Sequence, residues 1–209
     1  MKGRFFVIEG LDGAGKATQV RLLAAKLRKA GKKVTIFSFP NYESTFGKFI
    51  RDTLAGKHGD LKAVDTYYRS LPFAVDRLLM REKLLAALKK GIVLSDRYTT
   101  SNLAFGAASC APGGRAAFQK FFEELEYGSF KLPKPDRVVY LSVPVEVSRK
   151  WLTKERNGKL DTNERDLAFQ QAVEAEYAKL AKRKEWRTVV CNEGESPEEV
   201  SRKVEAALR

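Results

Sequence analysis

The segment Gly10-Leu11-Asp12-Gly13-Ala14-Gly15-Lys16 constrains this chain more than any other, because it joins the apolar run Phe5-Phe6-Val7-Ile8 to a stretch of helical periodicity that opens at Lys16. A strand that turns through glycines into a helix N-terminus makes an anion cradle. Glycine at 10, 13 and 15 admits backbone conformations and close approaches that a Cβ would obstruct, so successive N–H groups can converge on phosphate oxygens. The positive end of the helix dipole adds to that field, and Lys16 reaches the β and γ phosphates. Gly10, Gly13, Ala14, Gly15, Lys16, Ala17 and Thr18 are therefore expected to hold the phosphates of a nucleoside triphosphate. Ala17 stands where a Ser or Thr usually offers its hydroxyl to Mg²⁺, with Thr18 one place later. Either waters, phosphates and other carboxylates hold the metal, or Thr18 substitutes through a local shift.

Apolar runs of strand length alternate with longer helical stretches, the pattern of a parallel sheet with crossover helices. Strands are predicted at 5–9, 34–39, 92–96, 138–143 and 188–191, and helices at 16–30, 46–55, 64–90, 115–127, 144–155, 164–184 and 197–208. Pro72 predicts a kink or division of the third helical stretch near Leu71, and Gly31 and Gly91 predict helix ends. No compositional break divides the 209 residues, so one domain over 1–209 is expected. The net charge of +13 attracts polyanions, but the basic residues are scattered, which favours a solvated surface over a specific nucleic-acid face. Cys110 and Cys191 lack neighbours at metal-ligand spacing and predict two buried free thiols. The N-terminal apolar run is too short for a signal peptide or membrane span, and the chain reads as cytoplasmic, without a membrane partner.

In an open parallel sheet, ligands sit beyond the carboxyl ends of the strands. Phe39-Pro40-Asn41-Tyr42-Glu43-Ser44 follows the second strand; Asp96-Arg97-Tyr98 and then Ser101-Asn102-Leu103-Ala104-Phe105 follow the third. Phe73, Asp76 and Arg77 share one helical surface. Taken singly these are bland: Phe73 would be core, and Asp76 with Arg77 a surface ion pair. Asp96 alone would end a strand, or support a metal through water beside a phosphate loop.

Together with Glu9-Gly10-Leu11-Asp12-Gly13-Ala14-Gly15-Lys16, these segments resemble the thymidylate kinase family, in family order and spacing, from the first strand to the helix around Tyr177. The resemblance implies a P-loop NTPase three-layer α/β fold, with a five-stranded parallel sheet flanked by helices and a mobile lid. It also implies ATP as co-substrate, Mg²⁺, dTMP as acceptor and a homodimer, for which Leu78, Leu79, Leu84 and Leu85 could serve core or interface alike. By the same resemblance Phe73 stacks on thymine, Arg77 hydrogen-bonds its exocyclic carbonyl and Asn102 pairs with the ring nitrogen. A flat apolar surface, a rigid fork and an amide that can donate and accept suit a pyrimidine. Arg97 bridges the donor and acceptor phosphates, and Asp12 serves the sugar 3′-hydroxyl or a metal water. Phe39, Pro40, Asp76 and Ser101 belong to the same substrate site. Tyr42 replaces an arginine common in the family and can donate its hydroxyl to the dTMP phosphate. Phe105 replaces a frequent tyrosine, keeping bulk against a ribose 2′-hydroxyl while losing a polar contact.

The stretch Arg149 to Lys159 is dense in cations and broken at Asn157-Gly158, which suits a closing flap, and the resemblance makes 149–160 the lid. Family members carry catalytic basic residues either in the phosphate loop, directly after its acidic residue, or in the lid. Gly13 occupies the former place, so Arg149, Lys154 and Arg156 are the candidates for neutralising the transferred phosphoryl, a role that for an arginine is worth roughly 10³ to 10⁵ in turnover. In Asp161-Thr162-Asn163-Glu164-Arg165-Asp166, Glu164 either supports metal or acceptor phosphate or favours a helix N-terminus. Asp12, Asp96 and Glu164 are thus the metal candidates. The expected reaction is ATP + dTMP ⇌ ADP + dTDP by direct in-line transfer. The alternatives are a kinase of dUMP or UMP, and an inactive nucleotide-responsive protein that binds nucleic acid.

Overall fold

The computed structural model describes residues 3–60, 63–158, 160 and 162–208. Strands β1 (Phe5–Gly10), β2 (Val34–Ser38), β3 (Ile92–Asp96), β4 (Arg137–Ser142) and β5 (Trp186–Val190) form one parallel sheet in the order β2-β3-β1-β4-β5. The helices are α1 (Lys16–Lys29), α2 (Thr45–Leu54), α3 (Thr66–Leu79), α4 (Arg81–Lys90), α5 (Thr99–Ser109), α6 (Arg115–Glu123), α7 (Val145–Glu155), α8 (Thr162–Arg165), α9 (Leu167–Leu180) and α10 (Pro197–Ala207).

Alternation along each strand sends side chains to both faces, and both faces are covered. Phe5 and Val7 join a core with Leu103 and Ala104 of α5, Phe118 and Phe122 of α6 and Tyr177 of α9. Phe6 and Ile8 join a second core with Val20 and Leu23 of α1 and Val200 and Val204 of α10. A fully buried apolar side chain of this size contributes about 1.5–3 kcal/mol, so β1, buried along its whole length, is a firm base for the loop that follows it. Among the described residues no helix is long and apolar enough to cross a membrane.

The predicted strands all form, within two residues of their expected ends. Gly31 ends α1 as expected, in a left-handed conformation with its N–H on Arg28 and the Lys32 N–H on Leu27. Three helical expectations need correction. Pro72 lies inside an unbroken α3, and the division comes at Met80. The helix expected over 164–184 is two, α8 and α9, because the Asp166 carboxylate caps α9 by accepting the Phe169 N–H at 3.0 Å. Helix α5 was not foreseen at all. The two thiols are free, and only Cys191 is fully buried; Cys110 is half-buried.

Candidate active site

Three adjacent strands deliver their following residues to one place. The Phe39 N–H bonds the Asp96 carbonyl and the Arg97 N–H bonds the Ile8 carbonyl, each at 3.0 Å, so the segments after β2, β3 and β1 leave the sheet side by side. Crossovers from β1 and β3 run to opposite sides of the sheet, which opens a crevice at its carboxyl edge.

On the β1 side lies the glycine loop. Gly15, at φ 82°, precedes α1 without any side-chain cap, which leaves the first N–H groups of the helix as donors. Gly13 is confined from outside: a Cβ there would lie 2.3 Å from the Ser148 carbonyl oxygen of α7. Lys16 is buried and donates from Nζ to the Leu11 carbonyl at 2.6 Å. Burial and the nearby Arg97 cation pull its pKa down, against Asp12, Asp96 and Glu9. Helix α1 runs unbroken from Lys16, so Ala17 and Thr18 are successive helical positions about 100° apart. The local shift that would exchange them is absent, and the Thr18 hydroxyl accepts instead from Arg21 at 3.4 Å.

Beside the loop, Arg97 occupies a left-handed backbone conformation, φ 64°, an uncommon state for a residue with a Cβ. Its Nη2 donates to Asp12 at 2.5 Å, its Nη1 lies 3.3 Å from Ser101 Oγ, and its guanidinium stands 5.1 Å from the centre of the Phe105 ring. Burial alone would raise the pKa of Asp12, but Arg97 and Lys16 outweigh it and hold the carboxyl below its ordinary value. Asp96 goes the other way: burial raises its pKa, only partly offset by Lys16 and Arg97. Its Oδ1 is buried without a hydrogen-bond partner among the described residues, and an orphaned acceptor beside a phosphate cradle fits a water on a hydrated cation. No preformed cage of three or more acidic, His or Cys ligands exists among the described residues.

A cavity of about 460 Å³ continues from Asp12 and Arg97. Phe39, Pro40 and Tyr42 form one wall, Phe73 and Arg77 of α3 another, and Ser101, Asn102 and Phe105 of α5 a third; Arg156 and Glu164 close the lid side. The Phe39–Pro40 peptide bond is cis. Asp76 does not line the cavity. Its carboxylate accepts the Asn41 N–H at 2.8 Å and so ties the Phe39 loop to α3. Nor do Asp76 and Arg77 form a surface pair: both are buried, and Arg77 is bound through two nitrogens, at 2.6 and 2.8 Å, to Glu126.

Of the cations expected in the lid, Arg156 is on the cavity wall and donates to the buried Glu164 at 2.8 Å, while Arg149 and Lys154, both in α7, do not line the cavity. Most of the expected lid is helix; Asn157 and Gly158, both left-handed, end it. Lys159 and Asp161 lie outside the described residues.

Two acidic residues that organise the site were not anticipated. Glu9, with no exposed surface, accepts from the Tyr98 N–H (3.0 Å) and from the hydroxyls of Thr100 (2.5 Å), Ser101 (2.7 Å) and Tyr177 (2.8 Å). It thereby fixes the start of α5 directly after Arg97 and ties it to α9. A charge inside an otherwise apolar strand, next to its end, was the available signal. Glu126, in the π-helical segment Glu124–Ser129 that continues α6, had none. Arg51, Arg69 and Phe169 also line the cavity.

Comparison with known proteins gives the family. The family model described as thymidylate kinase matches residues 8–204. The chain is 36% identical over 181 residues to the thymidylate kinase of Mycobacterium tuberculosis, covering 83% of this chain and 84% of that one. It is 32% identical over a 216-residue alignment to that of Nitrosospira multiformis, covering 100% and 98%. The solved structure of the Candida albicans thymidylate kinase superposes with a TM-score of 0.76 at 22% identity, over 98% of this chain and 90% of that one, and shares the fold. A glycine cradle and an aromatic slot joined through one arginine, matched by a family model from β1 into α10, make this chain a member of the thymidylate kinase family.

Proposed function

We propose that this chain transfers the γ-phosphoryl group of ATP to dTMP, giving ADP and dTDP. The observation that carries the reading is the position of Arg97. It stands between the glycine loop and the aromatic cavity, bonded to Asp12 on one side and to Ser101 on the other. In this reading Phe73 supports the thymine ring, Arg77 and Asn102 meet its polar edge, Phe105 packs at the sugar and Tyr42 meets the acceptor phosphate. Gly10 to Thr18 hold the triphosphate.

An oxygen of the dTMP phosphate attacks the γ-phosphorus while the bond to the bridging oxygen of ADP breaks. That oxygen is already anionic, so no general base is needed. Lys16, Arg97 and Arg156 spread the charge that develops, and catalysis is positioning and electrostatics. Mg²⁺, when bound, neutralises charge across the phosphates; Asp96 and Asp12 would hold it through water, with no hydroxyl from Ala17. Glu164, occupied by Arg156, anchors the lid cation in this reading. The chain works as one domain in the cytoplasm, where both nucleotides are found, and as a homodimer. The family assignment lends no support to a dUMP or UMP kinase, or to an inactive nucleic-acid-binding protein.

A coupled assay with ATP across dTMP, dUMP and UMP tests the assignment: dTMP is turned over fastest, and equal rates on UMP would defeat it. Lys16→Ala and Arg97→Ala each lower turnover by roughly 10³-fold or more with an unchanged circular dichroism spectrum. Near-normal activity in either would contradict the mechanism.

A further inference from the structure

Glu126 does not line the cavity, yet it touches both residues that face the polar edge of the base slot. Its carboxylate takes Nε and Nη2 of Arg77, and its Oε1 also lies 3.3 Å from Nδ2 of Asn102. The second neighbour of that Nδ2, again at 3.3 Å, is the Ser70 carbonyl. A carboxylate and a backbone carbonyl only accept, so both N–H groups of the Asn102 amide must face them. What Asn102 has left for the slot is its carbonyl oxygen. Arg77 is likewise held by one edge of its guanidinium, and its remaining N–H groups are donors. Glu126 itself is fully buried, and the same π-helical segment is tied to the start of α5 by the bond between Tyr127 and Thr99, 2.5 Å. π-Helical segments often occur at functional sites because they re-aim side chains within a helix.

We propose that Glu126 is a positioning residue that sets the order of donor and acceptor in the base slot. A donor at Arg77 beside an acceptor at Asn102 matches the 4-keto, 3-N–H edge of thymine or uracil. Cytosine, with a 4-amino group beside an unprotonated ring nitrogen, meets donor with donor and acceptor with acceptor. The proposal rests on the dTMP reading and goes beyond it, since it assigns selectivity to a residue that never touches the substrate.

Glu126→Gln tests it. A glutamine offers one acceptor and one amide N–H₂, so Asn102 is free to turn over and present its own N–H₂ to the slot. The KM for dTMP then rises while the KM for ATP stays, and the ratio of kcat/KM for dCMP to that for dTMP rises by about tenfold or more. Glu126→Asp, which keeps the charge and both acceptors, holds that ratio close to wild type. A uniform loss across dTMP, dCMP and ATP in Glu126→Gln, with the ratio unchanged, would reduce Glu126 to a structural role and overturn the proposal. Should the glutamine variant not fold, the wild-type protein still decides. Labelled with ¹⁵N, it shows both Asn102 side-chain amide protons slow to exchange with solvent, before and after dTMP is added; fast exchange of either overturns the proposal. Wild-type turnover of dTMP is measured in the same series, so failure of the underlying reading is seen separately.

Discussion

Asp12 and Asp96 face the same cradle with opposite electrostatics. The pKa of Asp12 lies below its ordinary 3.8, so its pairing with Arg97 stabilises the fold above pH 3.8 and that contribution is lost as the pH falls through the folded value. The pKa of Asp96 lies above 3.8, chiefly through burial, so its stabilising form is the protonated one, fully present below pH 3.8 and lost as the pH rises through the folded value. At neutral pH its ionised carboxyl therefore costs stability. Asp96→Asn is accordingly expected to melt higher than wild type at pH 7.5 and to lose turnover by tenfold or more. The melting difference shrinks as the pH is lowered towards 3.8. Scanning calorimetry across pH checks this, and a variant less stable than wild type at pH 7.5 would refute it. Asp12, Lys16, Arg97 and the cavity-lining candidates could be picked out of the sequence because phosphate and pyrimidine chemistry favours certain residue types at certain spacings. What Glu9 and Glu126 bind was not readable, because each acts through partners 89 or more and 24 or more residues away, a relation that only the fold creates.

Helix α5 escaped the sequence reading for a related reason. It is enclosed by α3, α6 and α9, with Thr99, Asn102, Leu103, Gly106 and Ala107 all buried, so it lacks the one-sided stripe by which a surface helix is recognised. Pro72 misled in the opposite direction. The carbonyl that loses its helical bond belongs to Tyr68, whose side chain is 70% exposed, and on that face solvent can take the place of the missing N–H. The stretch expected as a lid was visible as a run of cations, but not that most of it is helix or that α7 rests on the phosphate loop. That contact gives a prediction at this scale. Gly13 has φ 80° and no room for a Cβ beneath Ser148 and Leu152. Gly13→Ala should thus destabilise the protein by about 1–3 kcal/mol and raise the KM for ATP as α7 is pushed off the loop. Urea denaturation and steady-state kinetics would show it; unaltered values of both would mean that α7 and the loop are independent.

At the scale of the whole molecule, the central strands β1, β3 and β4 were readable because they are buried on both faces and nearly continuously apolar, and the edge strands β2 and β5 by their β-branched and aromatic residues, whereas strand order is set by crossovers that leave no local trace. The proposed homodimer has a physical basis at this scale too. Tyr68, Pro72, Val75 and Leu79 recur at helical spacing along the outer side of α3, with Tyr68 and Leu79 exposed at 70% and 61%; Phe121 of α6, 43% exposed, stands beside Tyr67. Leu84, by contrast, is fully buried core. A stripe of this kind on a chain with net charge +13 is better covered than hydrated, and a second copy offers the same stripe about a two-fold axis. The opposite side of α3 carries Phe73 and Arg77 onto the cavity wall, so in the proposed dimer loss of the partner would loosen the cavity before it touches the phosphate loop. Sedimentation equilibrium is expected to give twice the chain mass for wild type and the single-chain mass for the double variant Tyr68→Glu, Leu79→Glu. In that variant the KM for dTMP rises several-fold while the KM for ATP is little changed. A wild-type monomer would rule the homodimer out, and a variant that still sediments as a dimer would move the interface away from α3.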